Sequence, residues 1–201
     1  MKLIAGVDEV GRGCLFGSVV ACAVVITAEQ EPLLWAMGVK DSKQLSAKNR
    51  ELLVPKIKAV VTDWAIASAS VAEIDELNIL QATFLAMGRA VASLKVQPDH
   101  CLIDGNKTIP NFALSQEALV KGDSKSGAIA AASILAKVQR DQEMLQFAQV
   151  YPEYDLANNK GYGTKKHRQA IAQWGLTEHH RQSFKLTLNS QELQTQLSLL
   201  P

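Results

Sequence analysis

Short apolar runs along the chain predict five β-strands. Residues 2–7 form the first run, which stops at Asp8, and the β-branched residues at 18–27 form the second. The other strands are predicted at 63–69, 100–104 and 118–121. A glycine-rich turn from Gly11 to Gly17 joins the first two strands, which predicts a hairpin at the start of the sheet.

Segments with helical spacing lie between and after the later strands. They are predicted at 47–60, in two parts within 71–94, at 128–150 and at 164–174. Pro55 should bend or restart the first of them. Ser124 and Ser126 are candidate N-caps for the long helix. Its inward stripe is predicted to contain Ile134, Val138 and Leu145. This order of elements predicts an α/β fold: a mixed five-stranded sheet flanked by helices, with a C-terminal helical appendage.

The composition predicts one globular domain with an appendage. Of the 201 residues, 47% are hydrophobic and 20% are charged, which excludes a wholly disordered or collagen-like chain. The three cysteines are odd in number and include no Cys-x-x-Cys pair, so we expect a reduced protein. The N-terminal apolar run is too short for a signal peptide or a membrane span. We therefore expect a cytoplasmic protein without membrane contact.

The charge is nearly balanced, with 21 basic and 20 acidic residues, which at first argues against a nucleic-acid partner. Its distribution is uneven, however. Residues 40–58 hold six Lys or Arg and two acids, and residues 160–185 hold six and one, whereas 59–88 hold four acids and no Lys or Arg. If the two basic segments lie on one side, they attract phosphates. The alternative is that they are solvated helix faces.

Four acids stand at the ends of predicted elements. Asp8 and Glu9 follow the first strand, Asp104 ends the fourth strand, and Asp123 precedes the long helix. In a regular strand Asp8 and Glu9 would point to opposite faces, so they converge only if the strand ends or kinks there. A cluster of such carboxylates needs cations, and oxygen ligands suit Mg²⁺ or Mn²⁺. For each acid alone, the alternative is a helix cap, a turn residue or a surface charge.

Several motifs together resemble one enzyme family. The segment AGVDEVGRG at 5–13 resembles the opening motif of type 2 ribonuclease H (ribonuclease HII). Later motifs of the family follow in order: DSK at 41–43, IDG at 103–105, KGDS at 121–124, AASILAK at 131–137 and KGYGT at 160–164. The resemblance covers about residues 3–184. It implies a catalytic domain at 1–184, with the ribonuclease H-like fold and its C-terminal helical part, and a tail at 185–201.

The resemblance implies an endonuclease that cuts the RNA strand of RNA–DNA hybrids and incises 5′ to ribonucleotides embedded in duplex DNA. Two Mn²⁺ or Mg²⁺ ions, loaded with substrate, would hydrolyse the phosphodiester and leave 5′-phosphate and 3′-hydroxyl ends. The implied metal-binding and catalytic residues are Asp8, Glu9, Asp104 and Asp123. Two alternatives stay open: a DNA nuclease of the same fold, and a module that binds hybrids without cutting them.

The resemblance also implies residues that bind the substrate. Gly11, Arg12 and Gly13 would read the 2′-hydroxyl largely through the backbone, and Tyr162 would stack on the sugar after the ribonucleotide. Lys43 would contact a phosphate. Ser133 would reach a phosphate or, alternatively, pack against the sheet. The residues that would support the basic face are His179, His180 and Arg181.

Two regions depart from the family pattern. Cys14, Phe16 and Ser18 stand where the family commonly has prolines and small residues, which leaves that loop less rigid. The tail contains QLSLL at 196–200, which is similar to the peptide by which bacterial replication proteins dock on the sliding clamp. The alternative for the tail is a helix that packs Leu193, Leu197 and Leu200 on the body. We expect a monomer.

Overall fold

A computed structural model describes residues 2–185. Its centre is one five-stranded sheet with the strand order β3-β2-β1-β4-β5. The strands are β1 (Ile4–Val10), β2 (Val19–Ile26), β3 (Asp63–Ala69), β4 (His100–Asp104) and β5 (Gln116–Leu119). The β1–β2 and β2–β3 pairs are antiparallel, whereas β1–β4 and β4–β5 are parallel. The predicted mixed five-stranded sheet is therefore confirmed.

Seven α-helices connect or follow these strands within residues 2–185. They are α1 (Glu31–Ala36), α2 (Ala47–Val60), α3 (Val71–Leu77), α4 (Ile79–Ala92), α5 (Gly127–Val150), α6 (Leu156–Asn159) and α7 (Lys165–Trp174). Short 3₁₀ turns lie at Ser42–Gln44, Gly122–Ser124 and Pro152–Tyr154. None of the helices in the described part of the chain is long and apolar enough to cross a membrane.

Three apolar clusters form the core. The first lies between one face of the sheet and α4, and the second between the other face and α1, α2 and α5. The third joins Leu15 and Phe16 to the end of α5 and to α6 and α7. The C-terminal helical part therefore shares a core with residues 11–18, the glycine-rich connection between β1 and β2. Phe184 packs against both the first and the third cluster.

Several sequence expectations need correction. β1 does not stop at Asp8 but runs on to Val10, because residues 8–10 pair with residues 20–22 of β2. β5 begins two residues earlier than predicted, because Gln116–Leu119 pair with Cys101–Asp104 of β4. α2 continues through Pro55 without restarting. The ring removes only the hydrogen bond to the carbonyl of Glu51, a residue on the exposed side of the helix.

The long helix also differs in detail. Ser126 occupies the N-cap position without a side-chain cap bond, and Ser124 belongs to the 3₁₀ turn before it. Ile134 and Val138 are buried as predicted, but Leu145 is 45% exposed. Met144 is buried in its place, because the end of α5 extends beyond the sheet and packs against the third cluster. The buried face of α5 therefore changes at the point where the helix leaves the sheet and begins to pack against the third cluster.

Candidate active site

The first strand directs its two adjacent acids to opposite faces of the sheet. Ala5 and Val7 belong to the cluster on the α4 side, whereas Gly6 lies against the backbone of α5. Alternation along the strand therefore turns Asp8 toward α5 and Glu9 toward α4. The strand neither ends nor is interrupted at Asp8 and Glu9, the condition stated for their convergence, because β1 stays paired with β2 as far as Val10.

The neighbouring strand brings a third acid beside them. Val7 pairs with Ile103 in the parallel β1–β4 ladder, so the next residues, Asp8 and Asp104, lie at the same level. Asp104 is the last residue of β4 and also borders a cleft of about 230 Å³ on the α4 side, together with Glu9 and Arg12. The end of β4 thus connects the two faces on which the acids of β1 lie.

Burial and mutual repulsion perturb these carboxyl groups. Burial raises the pKa of Asp8 well above its usual value, and the negative charges of Glu9 and Asp104 raise it further. Burial also raises the pKa of Glu9, although Arg12, 3.4 Å away, opposes this effect. The pKa of Asp123 is raised by burial and by Asp104, among other acids. Asp104 therefore acts on all three of the other acids.

The turn before α5 positions Asp123. Asp104 accepts a hydrogen bond of 2.7 Å from the backbone N–H of Gly122, which ties the turn to the end of β4. A Cβ atom on Gly122 would lie 2.5 Å from Cδ1 of Ile129 and 3.1 Å from Oδ1 of Asp104, so a larger residue there would require Ile129 to move. The acid that sequence reasoning placed before the long helix is therefore held next to the acid that ends β4.

The donors in this cluster are all carboxylate oxygens, which suit Mg²⁺ or Mn²⁺. Within residues 2–185, no three His, Cys, Asp or Glu side chains form a group that could hold a metal ion by themselves. The acids are nevertheless close enough to raise one another's pKa, and a bound cation would relieve this repulsion. Mg²⁺ binds through one or two carboxylates plus waters and substrate phosphate, so the residues fit an ion whose remaining ligands come with the substrate.

The segment before α2 lies close to Asp123. The positive charge of Lys43 lowers the pKa of Asp123, whereas Asp41 raises it. The carboxylate of Asp41 accepts a hydrogen bond from the backbone N–H of Lys43, which fixes the start of this 3₁₀ turn. Asp41 is part of a motif that the sequence analysis quoted, but that analysis gave it no role.

Ser133 lies under Asp8 rather than at the surface. Its hydroxyl is 2.9 Å from that of Ser42, and a hydrogen bond from Ser133 lowers the pKa of Asp8. The residue is 8% exposed. These contacts favour the packed alternative of the sequence analysis over a direct contact with phosphate.

Two buried arginines hold the glycine-rich connection, and sequence reasoning missed both of these roles. Arg140 of α5 donates to the carbonyls of Phe16 and Ser18 at 2.8 and 2.6 Å. Arg181 donates to the carbonyls of Arg12, Gly17 and Ser18 at 2.8–3.0 Å. Neither side chain carries a spacing signal in the sequence. The two arginines together therefore fix four backbone carbonyls of the connection, those of Arg12, Phe16, Gly17 and Ser18.

Arg181 and His180 do not support a basic face, contrary to the sequence expectation. Both are buried, at 0% and 1% exposure. His179 is partly exposed and packs its ring against Phe16 and Phe147. Residues 179–181 pack against the third apolar cluster, so His180 and Arg181 do not contribute charge to the protein surface.

Tyr162 lies beside the glycine-rich connection, as the motif implied. It forms an isolated β-bridge with Cys14, and the backbone N–H of Leu15 donates to the carbonyl of Gly161. The ring is 43% exposed, and a Cβ atom on Gly13 would lie 3.9 Å from it. Gly13, which is exposed, and the ring of Tyr162 therefore lie side by side, whereas Gly11 is buried.

A mixed five-stranded sheet with carboxylates near the carboxyl ends of two central parallel strands is the arrangement expected of a metal-dependent nuclease with the ribonuclease H-like fold. The family model described as Ribonuclease HII matches residues 5–187. The chain belongs to the ribonuclease HII family, and it is a metal-dependent endoribonuclease that acts on RNA–DNA hybrids.

Individual relatives agree. The chain is 54% identical over 183 residues to ribonuclease HII of Nostoc sp., covering 91% of this chain and 81% of the relative. It is 52% identical over 184 residues to ribonuclease HII of Vibrio parahaemolyticus, covering 92% and 85%. Among solved structures, ribonuclease H2 from Pyrococcus horikoshii has a TM-score of 0.78 at 27% identity, covering 98% of this chain and 100% of the other.

A second solved structure is a PCNA:RNase HII complex from Archaeoglobus fulgidus. Its similarity to this chain has a TM-score of 0.77 at 27% identity and covers 92% of this chain and 95% of that one. These likenesses confirm the ribonuclease H-like fold that the sequence motifs implied.

Proposed function

We propose that Asp8, Glu9, Asp104 and Asp123 hold the divalent ions of this endonuclease, Mn²⁺ or Mg²⁺. The observation that carries the proposal is the placement of Asp8 and Asp104 at the same level of two parallel strands. Two ions held there by these carboxylates would lower the pKa of a water that serves as nucleophile and would stabilise the negative charge on the departing oxygen. The cut lies 5′ to a ribonucleotide and leaves 5′-phosphate and 3′-hydroxyl ends.

The residues around the acids set the geometry of this site. Ser133 lies beside Asp8 and lowers the pKa of its carboxyl group, while the Gly122 N–H donates a hydrogen bond to Asp104. Lys43 lies close enough to Asp123 to lower its pKa, and its exposed side chain contacts a substrate phosphate near the cut. Arg12 pairs with Glu9 and leaves its own side chain half exposed toward substrate.

The glycine-rich connection and Tyr162 read the ribonucleotide. The backbone of Gly11, Arg12 and Gly13 contacts the 2′-hydroxyl, which only a main chain free of side chains can approach closely. The exposed ring of Tyr162 stacks on the sugar that follows the ribonucleotide. Support comes from the adjacency of ring and glycines, with Gly13 next to the Tyr162 ring.

The central experiment is cleavage of a DNA duplex that contains one ribonucleotide. With Mn²⁺ or Mg²⁺ we expect a single cut on the 5′ side of the ribonucleotide, and no cut when the metal is chelated. Cleavage of an all-DNA duplex at a comparable rate would instead support the DNA nuclease alternative. If the ribonucleotide duplex is bound but stays intact with either metal, the chain is a binding module.

The same proposal includes the wider setting. Residues 1–184 act as the catalytic unit, as a monomer in the cytoplasm, and residues 185–201 as a tail. The QLSLL segment at 196–200 and the alternative packing of Leu193, Leu197 and Leu200 lie outside the described residues. The PCNA complex of the Archaeoglobus relative supports a sliding clamp as a partner of this protein, and we assign the contact to the QLSLL segment. Deletion of 196–201 should abolish capture by the clamp but leave cleavage of free oligonucleotides unchanged; undiminished capture would reject the docking role.

A further inference from the structure

Two fully buried histidines lie beneath the segment that carries Tyr162. The Nε2 atoms of His167 and His180 are 3.2 Å apart, and the rings are 0% and 1% exposed. The Nδ1 atom of His167 is 2.9 Å from the carbonyl oxygen of Tyr162. The Nδ1 atom of His180 is 3.0 Å from the backbone nitrogen of Thr177. No step of the proposed reaction uses either ring.

With both rings neutral, only one arrangement of protons is allowed, because the Tyr162 carbonyl can only accept. The hydroxyl of Thr177, 3.0 Å from Nδ1 of His180, fits this arrangement as a second donor. The Thr177 N–H is a donor, so Nδ1 of His180 must accept, and the proton of this neutral ring is therefore on Nε2. His180 then donates to Nε2 of His167, which must accept. The remaining proton of His167 lies on Nδ1 and is donated to the carbonyl of Tyr162. The hydrogen-bond chain thus runs in one direction, from Thr177 to Tyr162.

The pair also joins the two segments that read the substrate. His180 forms an isolated β-bridge with Phe16, and the N–H of Gly17 donates to the carbonyl of His179 at 2.8 Å. One end of the chain is therefore attached to the connection after the reading glycines, and the other end to Tyr162. Burial keeps both rings neutral near pH 7, since it lowers the pKa of His167 and lowers that of His180 to about 4.

We propose that His167 and His180 are positioning residues that set the Tyr162 backbone relative to the reading glycines, and thereby set the preference for RNA-to-DNA junctions. This inference rests on the proposed role of Tyr162. A carbonyl held by a side-chain donor from a buried pair has little freedom to rotate, so the ring above it is aimed at one place. Loss of the donor should affect junction recognition more than phosphodiester hydrolysis.

The kinetic test compares two substitutions of one residue. His167→Asn keeps an N–H at the position of Nδ1 and loses the contact with His180, whereas His167→Leu loses both. The readout is the ratio of kcat/KM on a duplex with one ribonucleotide to kcat/KM on a continuous RNA–DNA hybrid. His167→Leu should lower this ratio by about tenfold, and His167→Asn, which keeps the donor but loses the contact with His180, should lower it by only about threefold. A general loss of stability would lower both rates together.

Tyr162→Ala, measured alongside, separates the possible failures. If Tyr162→Ala lowers the ratio and His167→Leu does not, the positioning role is rejected and the role of Tyr162 stands. If neither variant changes the ratio, the positioning role of the histidines and the junction role of Tyr162 are both rejected. If His167→Leu and His167→Asn lower it equally, the donor to Tyr162 is not the cause and the positioning role is rejected.

A second measurement needs no variant. Long-range ¹H–¹⁵N spectra of the unmodified protein report which ring nitrogen of each histidine carries the proton. We expect the Nδ1–H form for His167 and the Nε2–H form for His180 at pH 7. The opposite form at either residue would break the direction of the chain and overturn the inference, whether or not a variant folds.

Discussion

Asp104 is the carboxylate that links the other acids of the site. Its charge raises the pKa of Asp8, Glu9 and Asp123, although these three lie on different elements or faces. Such repulsion opposes folding in the absence of metal, since like charges are brought together and desolvated. The negative charge of Asp104 is therefore needed to bind metal, but it lowers the stability of the metal-free protein.

Asp104→Asn should separate the two demands. The amide oxygen can still accept from the Gly122 N–H, but the charge that binds metal is gone. Turnover should fall at least about a hundredfold while hybrid binding is largely kept. The metal-free protein should melt at the same temperature or higher. Glu117→Gln on β5, an exposed acid, is the matched control and should change neither property.

Retained turnover in Asp104→Asn would remove this residue from the metal site. A large loss of hybrid binding would mean instead that the substitution disturbs the surface that holds the substrate.

Gly11 is fixed by space as well as by backbone conformation. Its φ of +91° is one that glycine tolerates readily, and an added Cβ would lie 2.3 Å from Nε of Arg140. Gly38 has a similar φ of +85° but has nothing within 4 Å of an added Cβ. The two glycines therefore differ mainly in what surrounds them.

Gly11→Ala should be clearly worse than Gly38→Ala. Backbone strain alone should cost Gly38→Ala about 1–2 kcal/mol. Gly11→Ala must also displace a buried arginine that holds the connection, so its total should be about 2–5 kcal/mol. Urea denaturation measures both values. Equal losses in the two variants would show that Arg140 yields to the methyl group without cost.

Residue identity alone could not reveal these roles. The motif around Gly11 indicated close approach of the backbone to a ligand, and the structure adds a second constraint from Arg140 beneath it. Likewise, the sequence rule that neighbours on a strand face opposite ways holds for Asp8 and Glu9. The expected strand end at Asp8 was wrong because the pairing with β2, and not the position of the acids, decides where β1 ends.

At the scale of elements, the sequence predicted most where local pattern and tertiary contacts agree. β3, β4 and α2 have the predicted bounds, since each is a continuous run with clear ends. The six-residue α1 was not predicted, nor was the change of buried face along α5. Both depend on neighbours that are distant in sequence, so no window of local hydrophobicity contains them.

The contact between the C-terminal segment and the glycine-rich connection is also invisible in the sequence. Arginine is usually exposed, so nothing marks Arg181 as a buried donor to three carbonyls. Its Nε, NH1 and NH2 groups contact three different residues of the connection, at distances from 2.8 to 3.0 Å. This fork holds one element to another through geometry that an ammonium group lacks.

Arg181→Lys should therefore be destabilising despite the kept charge. One nitrogen cannot reach three carbonyls, and the unpaired ones remain buried, so we expect a loss of about 2–4 kcal/mol. Arg89→Lys, in an ion pair with Glu73 in which both side chains are partly exposed, should cost less than about 1 kcal/mol. Chemical denaturation of both variants is the measurement. Equal losses would mean that the carbonyls find other donors.

At the scale of the whole molecule, buried carboxyl groups and buried histidines change the stability in opposite directions as the pH falls. Burial raises the pKa of Asp8, Glu9 and Asp123, so their folded-state repulsion is relieved by protonation as the pH falls. Burial lowers the pKa of His167 and His180, so these rings oppose folding when they must be charged. The net charge of +1 predicts neither effect, because both come from buried groups.

The histidine contribution can be isolated by its pH range. An unfolded histidine titrates near 6.5, whereas burial, and secondarily the neighbouring His167, lowers the pKa of folded His180 to about 4. Between these values the unfolded chain binds the extra proton. The free energy of unfolding therefore contains no penalty from His180 above about pH 6.5, and it decreases progressively as the pH falls toward 4.

His180→Gln should flatten this part of the stability profile. The parent should lose about 2–3 kcal/mol more than the variant between pH 7 and pH 4.5, because only the parent takes up a proton on unfolding at this position. The comparison uses the change with pH, so a constant loss from the substitution itself cancels. Parallel profiles for the parent and His180→Gln would show that the buried pair is protonated in the folded protein, and would place the acid sensitivity elsewhere.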